Sequence, residues 1–257
     1  MGRVGTLDTV DDLEAFRRAL GLRRVRFLGW SYGATVGAVW AMTHPSSIRR
    51  IVLDAPNDPR TSAADTARRR MNAASNAFEQ MAGASDIDTS GLTSREAALA
   101  REYPLYDGGR ALMATAKASD LVALRLGETP DGKNDGGIET QIGVHCSDTS
   151  RQESDEAVAL VEPEPAVGFG TVFDSVCREL PAAERPLSSL KIDRGATRVD
   201  ALVIATSGDH VVPVDETTNL ASDMLWRRLI VNARRHLSVG FDAKATKTAM
   251  AFLASGD

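Results

Sequence analysis

The sequence predicts an α/β fold with a mostly parallel sheet, interrupted by a long helical insertion. Three observations carry this. A short apolar run, Val25 to Leu28, ends in Gly29-Trp30-Ser31-Tyr32-Gly33 and leads at once into an Ala- and Val-rich helical segment. A second apolar run, Ile48 to Leu53, follows one crossover later, so the two strands read as a parallel βαβ unit. Strand character then returns only at Ala201 to Ala205, after a stretch dominated by helical patterns.

Taken in order, Thr9 to Leu20 reads as a helix. Thr9 is placed to cap it, acidic residues fill its first turn, and Gly21 ends it. Leu13, Phe16 and Leu20 fall on its expected inward face. The strand over Val25 to Leu28 and its helix come next, with the helix running out at Thr43-His44-Pro45. After the strand over Ile48 to Leu53 and the turn Asp54-Ala-Pro-Asn, helical patterns cover Thr61 to Met81, Ser94 to Arg101, Gly109 to Leu126, Ser154 to Leu160 and Val172 to Leu180. The expected division is a sheet core, 1–58 and 199–257, and a mostly helical insertion, 59–198, of a size to form a lid. Beyond Ala201 to Ala205, a helix is expected at Asp215 to Ser222, a short strand at Leu229 to Val231 and a terminal helix at Lys244 to Leu253.

Composition narrows the function classes. A net charge of −5 argues against nucleic acid or an anionic membrane as the main partner. No apolar run approaches the ~20 residues a membrane span needs. The first residues, MGRVGTLDTVDD, contain no apolar core of a signal peptide. Cys146 and Cys177 lack the spacing of metal ligands, and both a disulfide and two buried thiols are open readings. Asp131-Gly-Lys-Asn-Asp-Gly superficially suggests a calcium loop. Lys133 stands at a ligand position, however, and Ile142 where a bidentate Glu belongs, so it reads as a polar turn. No metal and no cofactor is expected, and a dinucleotide site fits the glycine spacing poorly.

The chemistry concentrates on Ser31. A serine on a tight strand-to-helix turn is held in strained backbone geometry with Oγ above the sheet. Gly29 and Gly33 are expected to keep side chains out of the gap between strand and helix. The helix that begins there aims its N–H groups at whatever the serine attacks, which makes the Tyr32 amide a candidate oxyanion donor. A G-x-S-x-G pattern is weak alone, and an ordinary turn with a surface serine is the competing reading. It needs an acid after a later strand and a histidine after the last one. Of the aspartates after strands, Asp54 and Asp209, and of His44, His145, His210 and His236, only Asp209 and His236 satisfy both placements. Asp54 is the fallback acid, with a turn-holding role preferred. His44 is expected to close the helix after Ser31, His210 to point away from the acid, and His145 to pack.

The stretch GWSYGATVGAVWAMTHPSSIRRIVLDAPNDP resembles the nucleophile region of tripeptidyl-aminopeptidase-like α/β hydrolases, in the prolyl-aminopeptidase group of serine peptidases. VHCSD at 144–148, Cys177 before a Leu-Pro, GDHVVPV at 208–214 and RRHLS at 234–238 extend the likeness over most of the chain. The resemblance implies an α/β-hydrolase fold with an inserted helical cap and a Ser31–His236–Asp209 triad. It also implies release of short N-terminal peptides, a Cys146–Cys177 disulfide, and a secreted or envelope location, a cytoplasmic one being the alternative. Two departures stand out. Arg-Arg-His-Leu replaces the small residues usual around the histidine. The strands and the HGGPG-like loop that precede the elbow in the family are also missing.

That second departure predicts an unpaired edge at Val25 to Leu28 and a weak or inactive catalyst, because losing one oxyanion donor costs ~10²–10³ in turnover. A separately encoded N-terminal piece, or self-association through that edge, would be the partner. Peptide and small ester are both candidate substrates, and a non-catalytic domain that binds through its sheet edge is the non-enzymatic reading. For a substrate ammonium, the sequence offers Asp148, Glu153, Asp155, Glu156, Glu162 and Glu164, most of them expected on a solvated helix face.

Overall fold

The computed structural model describes residues 4–79, 90–92, 137–161 and 170–255. Its backbone divides into two compact units, residues 6–61 with 187–257 and residues 1–5 with 62–186.

The first unit is built on a four-stranded parallel sheet in the order β1-β2-β3-β4. β1 spans Val25–Trp30, β2 Ile48–Asp54, β3 Ala201–Thr206 and β4 Arg227–Val231. Alternation along the two central strands sorts side chains to opposite faces. Ile51, Leu53, Ala201 and Val203 pack with Val10, Ala34, Ala38, Trp40, Leu220 and Met224. Those partners come from α1 (Thr6–Ala19), α2 (Tyr32–Thr43) and the stretch at α7 (Val214–Asp223). Val52, Leu202 and Ile204 face the other way, against Val239 and the Ala249 and Phe252 of α8 (Ala243–Ala254). Central strands covered on both faces must be apolar throughout, which is why β3 is buried at every position.

α2 packs against the sheet at Gly37, where only a glycine fits. A Cβ there would meet the Phe27 ring at 2.7 Å and Leu53 Cδ2 at 2.8 Å. Among the described residues β1 pairs on one side only, with β2.

α1 departs from its expected form. It begins at Thr6, so Thr9 lies inside the helix and does not cap it. Thr6, Val10 and Glu14 are buried on its inward stripe and Leu13 packs against the core as expected, while Phe16 and Leu20 are 63% and 54% exposed. The stripe turns because Glu14 is buried, its carboxylate receiving Trp40 Nε1 and Ser47 Oγ from the neighbouring elements.

The second unit is helical in its described parts: α3 (Ala63–Glu79), α4 (Gly137–Asp148), α5 (Arg151–Val161) and α6 (Gly170–Cys177). α3 packs on α5 through Ala64, Ala67 and Ala157, and a Cys146–Cys177 disulfide joins α4 to α6. Ser150 and Glu153 start α5 as a reciprocal pair, each side chain bonding the other's backbone N–H. The helices expected at Ser94 to Arg101 and Gly109 to Leu126, and the polar turn at 131–136, lie outside the described residues. No described helix is long and apolar enough to cross a membrane.

Candidate active site

At the carboxyl edge of the sheet, β1 ends and Ser31 turns the chain into α2 with φ 50° and ψ −121°. That left-handed φ is strained for a residue with a Cβ, and it is held by local bonds. Ser31 N–H donates to the Asp54 carbonyl at 2.9 Å, while the Ser31 carbonyl accepts from Ala34 and Thr35. Gly29 is required here, since a Cβ on it would lie 2.4 Å from the Gly33 carbonyl oxygen and 2.7 Å from Ala34 N. Gly33 is not required on the same ground, because a Cβ there would meet nothing within 4 Å. The expected symmetry of the two glycines therefore fails. Strand and helix touch where Gly29 sits, and the far side is open.

Asp209 follows β3. Its Oδ1 accepts the backbone N–H of Val211 and Val212, at 2.9 and 3.0 Å, which fixes the carboxylate within its own loop. Oδ2 is left for His236 Nδ1, at 2.8 Å. Gly208 permits the acid loop to approach the histidine loop, as a Cβ there would meet Ala233 O at 3.0 Å and Arg234 Cα at 3.1 Å. His236 follows β4, and its Nε2 lies 2.8 Å from Ser31 Oγ. With Nδ1–H donating to the Asp209 carboxylate, Nε2 is the acceptor that faces the Ser31 hydroxyl. Ser31, His236 and Asp209 thus form one continuous hydrogen-bonded line.

The other sequence candidates have different surroundings. His44 closes α2, its N–H donating to the Trp40 carbonyl and its Nδ1 lying 2.9 Å from Thr43 Oγ1. His210 is buried beside Asp209. In the helical unit, His145 Nε2 lies 2.8 Å from Asp174 Oδ1 and its ring sits beside Phe173. Asp54 is wholly buried and accepts the N–H groups of Ser238 and Val239 on Oδ2. It therefore holds the histidine loop as well as ending β2. Burial pushes its carboxyl up, partly opposed by those N–H groups and by His236, and supported by the charge of Asp209.

Of the acidic candidates, Glu153 belongs to the start of α5, Asp155 pairs with Arg178 at 2.9 Å and Glu156 accepts from Gln152. Asp148 ends α4, while Glu162 and Glu164 lie outside the described residues. Among the described residues no group of His, Cys, Asp and Glu is arranged to hold a metal ion. Sequence reasoning did not find Trp30, Thr206 and Ser238, which sit around the histidine loop. Trp30 adjoins Ser31, but nothing in the sequence marks the other two.

A parallel sheet covered on both faces, with a strained serine at the carboxyl end of one strand, defines a hydrolase of the α/β class. The chain belongs to the alpha/beta hydrolase fold family, whose pattern residues 2–239 match. Among curated proteins, it is similar to serine protease Hip1 of Mycobacterium tuberculosis (strain ATCC 25618 / H37Rv), with 33% identity over 82 residues, 32% of this chain and 16% of that protein. It is also similar to tripeptidyl aminopeptidase of Streptomyces lividans, 41% identical over 54 residues, 21% of this chain and 10% of that protein. These matches span a minor part of the curated relatives' length. Among solved structures, a hydrolase from Pseudomonas aeruginosa PA01 aligns over 98% of this chain and 72% of its own, with 19% identity and a TM-score of 0.49.

Proposed function

We propose that the protein is a serine hydrolase of aminopeptidase type, acting through an acyl-enzyme on Ser31. The hydrogen-bonded line Ser31 Oγ–His236 Nε2 and His236 Nδ1–Asp209 Oδ2 carries this reading. In it, Ser31 Oγ attacks a carbonyl carbon while its proton passes to His236 Nε2. The oxygen that becomes negative is met by the Tyr32 N–H at the start of α2. The tetrahedral adduct collapses to a Ser31 ester as Nε2 returns the proton to the departing amine. Water then repeats the cycle, giving its proton to His236 and releasing the acid. Asp209 keeps Nδ1 protonated and stabilises the imidazolium, and its own loop amides hold it in place for that.

The peptidase preference rests on the partial likeness to Hip1 and to tripeptidyl aminopeptidase. The Cys146–Cys177 bridge supports an oxidising compartment, secreted or envelope, since such bonds persist there and not in a reducing cytosol.

A fluorophosphonate probe tests the chemistry. The wild-type chain should label and Ser31→Ala should not, and equal labelling of the two would sink the triad. Tripeptide anilides with free and with blocked N-termini, set beside a p-nitrophenyl ester, test the substrate class. Turnover confined to the free N-terminus supports the exopeptidase. Turnover of the ester alone replaces it with a carboxylic-ester hydrolase.

A further inference from the structure

The contact between Ser31 and His236 joins residues 205 apart in the chain, and the loop that carries the histidine is not held by regular structure. Leu237, directly after it, has φ 75°, a left-handed conformation that a leucine adopts only under support from its surroundings. That support comes from the last residues of three adjacent strands. Asp54 Oδ2 accepts Ser238 N–H at 2.8 Å and Val239 N–H at 2.6 Å. Trp30 Nε1 donates to the Val239 carbonyl at 3.1 Å. Thr206 Oγ1 lies 2.9 Å from Ser238 Oγ. Trp30 and Asp54 are register partners at the ends of β1 and β2.

We propose that Asp54 and Trp30 are positioning residues for the Ser31 reaction, gripping Val239 by its N–H and its carbonyl so that His236 is held against the nucleophile. The proposal rests on the serine-hydrolase reading above. Asp54 serves both sides of the contact. Its carbonyl accepts the Ser31 N–H and its carboxylate accepts the N–H groups two and three residues past His236.

The chemistry of the carboxylate argues against a purely stabilising role. Asp54 is fully buried, and its Oδ1 has no hydrogen-bond partner among the described residues. A buried carboxylate with one oxygen unused is expensive to keep. Burial pushing its carboxyl up is the same cost seen from the titration side. What Oδ2 supplies is one acceptor placed for two converging N–H groups, and an amide oxygen at the same position would supply it too.

The experiment measures the second-order rate of fluorophosphonate labelling for wild type, Ser31→Ala, Asp54→Ala, Asp54→Asn and Trp30→Phe, with folding checked by circular dichroism. Asp54→Ala is expected to label about 10²-fold more slowly, the cost of a histidine displaced by roughly an ångström. Asp54→Asn should recover to within about threefold of wild type, because its amide oxygen takes over both N–H groups. Trp30→Phe removes one hydrogen bond at a half-exposed ring and should slow labelling about three- to tenfold. If a p-nitrophenyl ester turns over, the loss in Asp54→Ala should fall on kcat and leave KM unchanged. Labelling that persists in Ser31→Ala would end the serine-hydrolase reading itself. With that control clean, a folded Asp54→Ala at the wild-type rate overturns the positioning role. So does Asp54→Asn if it is as slow as Asp54→Ala. Should Asp54→Ala not fold, Trp30→Phe decides, and a wild-type rate there overturns the grip on Val239.

Discussion

Replacing Glu14 with glutamine should weaken the fold, by an amount that depends on pH in a calculable way. Glu14 is 4% exposed, and its carboxylate is fully engaged. Oε1 accepts from Arg17 Nη2 at 2.7 Å, Arg18 Nε at 3.0 Å and Ser47 Oγ at 3.1 Å, while Oε2 accepts from Arg17 Nε at 3.0 Å and Trp40 Nε1 at 3.2 Å. The hydrogen bonds from Arg17 are the main reason the carboxyl is held at about 2 against an ordinary 4.5. Burial opposes them, and Ser47 and Trp40 add to them. A value lowered in the folded state means stabilisation that is complete above about pH 4.5 and lost as pH falls through about 2. The full displacement corresponds to about 3 kcal/mol, at ~1.36 kcal/mol for each tenfold change. Arg18 is 67% exposed, so solvent screens part of this, and about 2 kcal/mol is the expected cost of Glu14→Gln at pH 7. At pH 3 the unfolded chain has already taken up the proton, and the same substitution should cost about 1 kcal/mol or less. Urea unfolding followed by tryptophan fluorescence measures both numbers, and Trp40 reports from the site itself. Other carboxylates titrate alike in the two proteins and cancel in the difference. A cost that is the same at pH 7 and pH 3, or absent at pH 7, would refute the ionised Glu14 network as a source of stability.

Two further outcomes follow from geometry already described. Gly29→Ala forces a Cβ against the backbone of Gly33 and Ala34, whereas Gly33→Ala meets open space. Thermal unfolding should show the first destabilised by about 3 kcal/mol and the second unmoved, and equal melting of the two would contradict the one-sided approach of strand and helix. Opening the Cys146–Cys177 bridge, whose cysteines are 31 residues apart, should cost ~3–4 kcal/mol on the chain-entropy account. Unfolding in the presence and absence of dithiothreitol checks it, and an unshifted transition would mean the helices α4 and α6 hold together without it.

Much of the sheet unit was legible because its signals are local. The strands expected at Val25 to Leu28, Ile48 to Leu53 and Ala201 to Ala205 are present, each extended at its carboxyl end to Trp30, Asp54 and Thr206. The added residues are Gly29 and Trp30, Asp54 and Thr206, none of them part of an aliphatic run, so hydrophobic patterning stopped short of them. Expected helices at Asp215 to Ser222 and Lys244 to Leu253 differ from α7 and α8 by a residue at each end. On α1 the expected inward face holds at Leu13 but not at Phe16 and Leu20, because a buried glutamate has no apolar signature. Its place inside depends on Trp40 and Ser47, 26 and 33 residues away. In the helical unit, α4 carries no strong apolar stripe, and only the likeness around VHCSD drew attention to it.

Ser31 and its hydrogen-bond partners differ in how they are encoded. Ser31 sits in a turn whose strain and close packing are set by its immediate neighbours, Gly29 above all, so a five-residue pattern reveals it. His236 reaches the serine only if Trp30, Asp54 and Thr206 end their strands level with one another. The register Trp30↔Asp54 brings the indole and the carboxylate to the same residue of the histidine loop, Val239. A slip of β1 against β2 by one residue would send alternate side chains to the opposite face and leave Val239 without its Trp30 donor. Sheet register is therefore part of the candidate site's geometry, and beneath it lies the packed core of Phe27, Ile51, Leu53 and Val203. Because that dependence runs between residues 24 to 209 apart, no stretch of sequence read alone contains it.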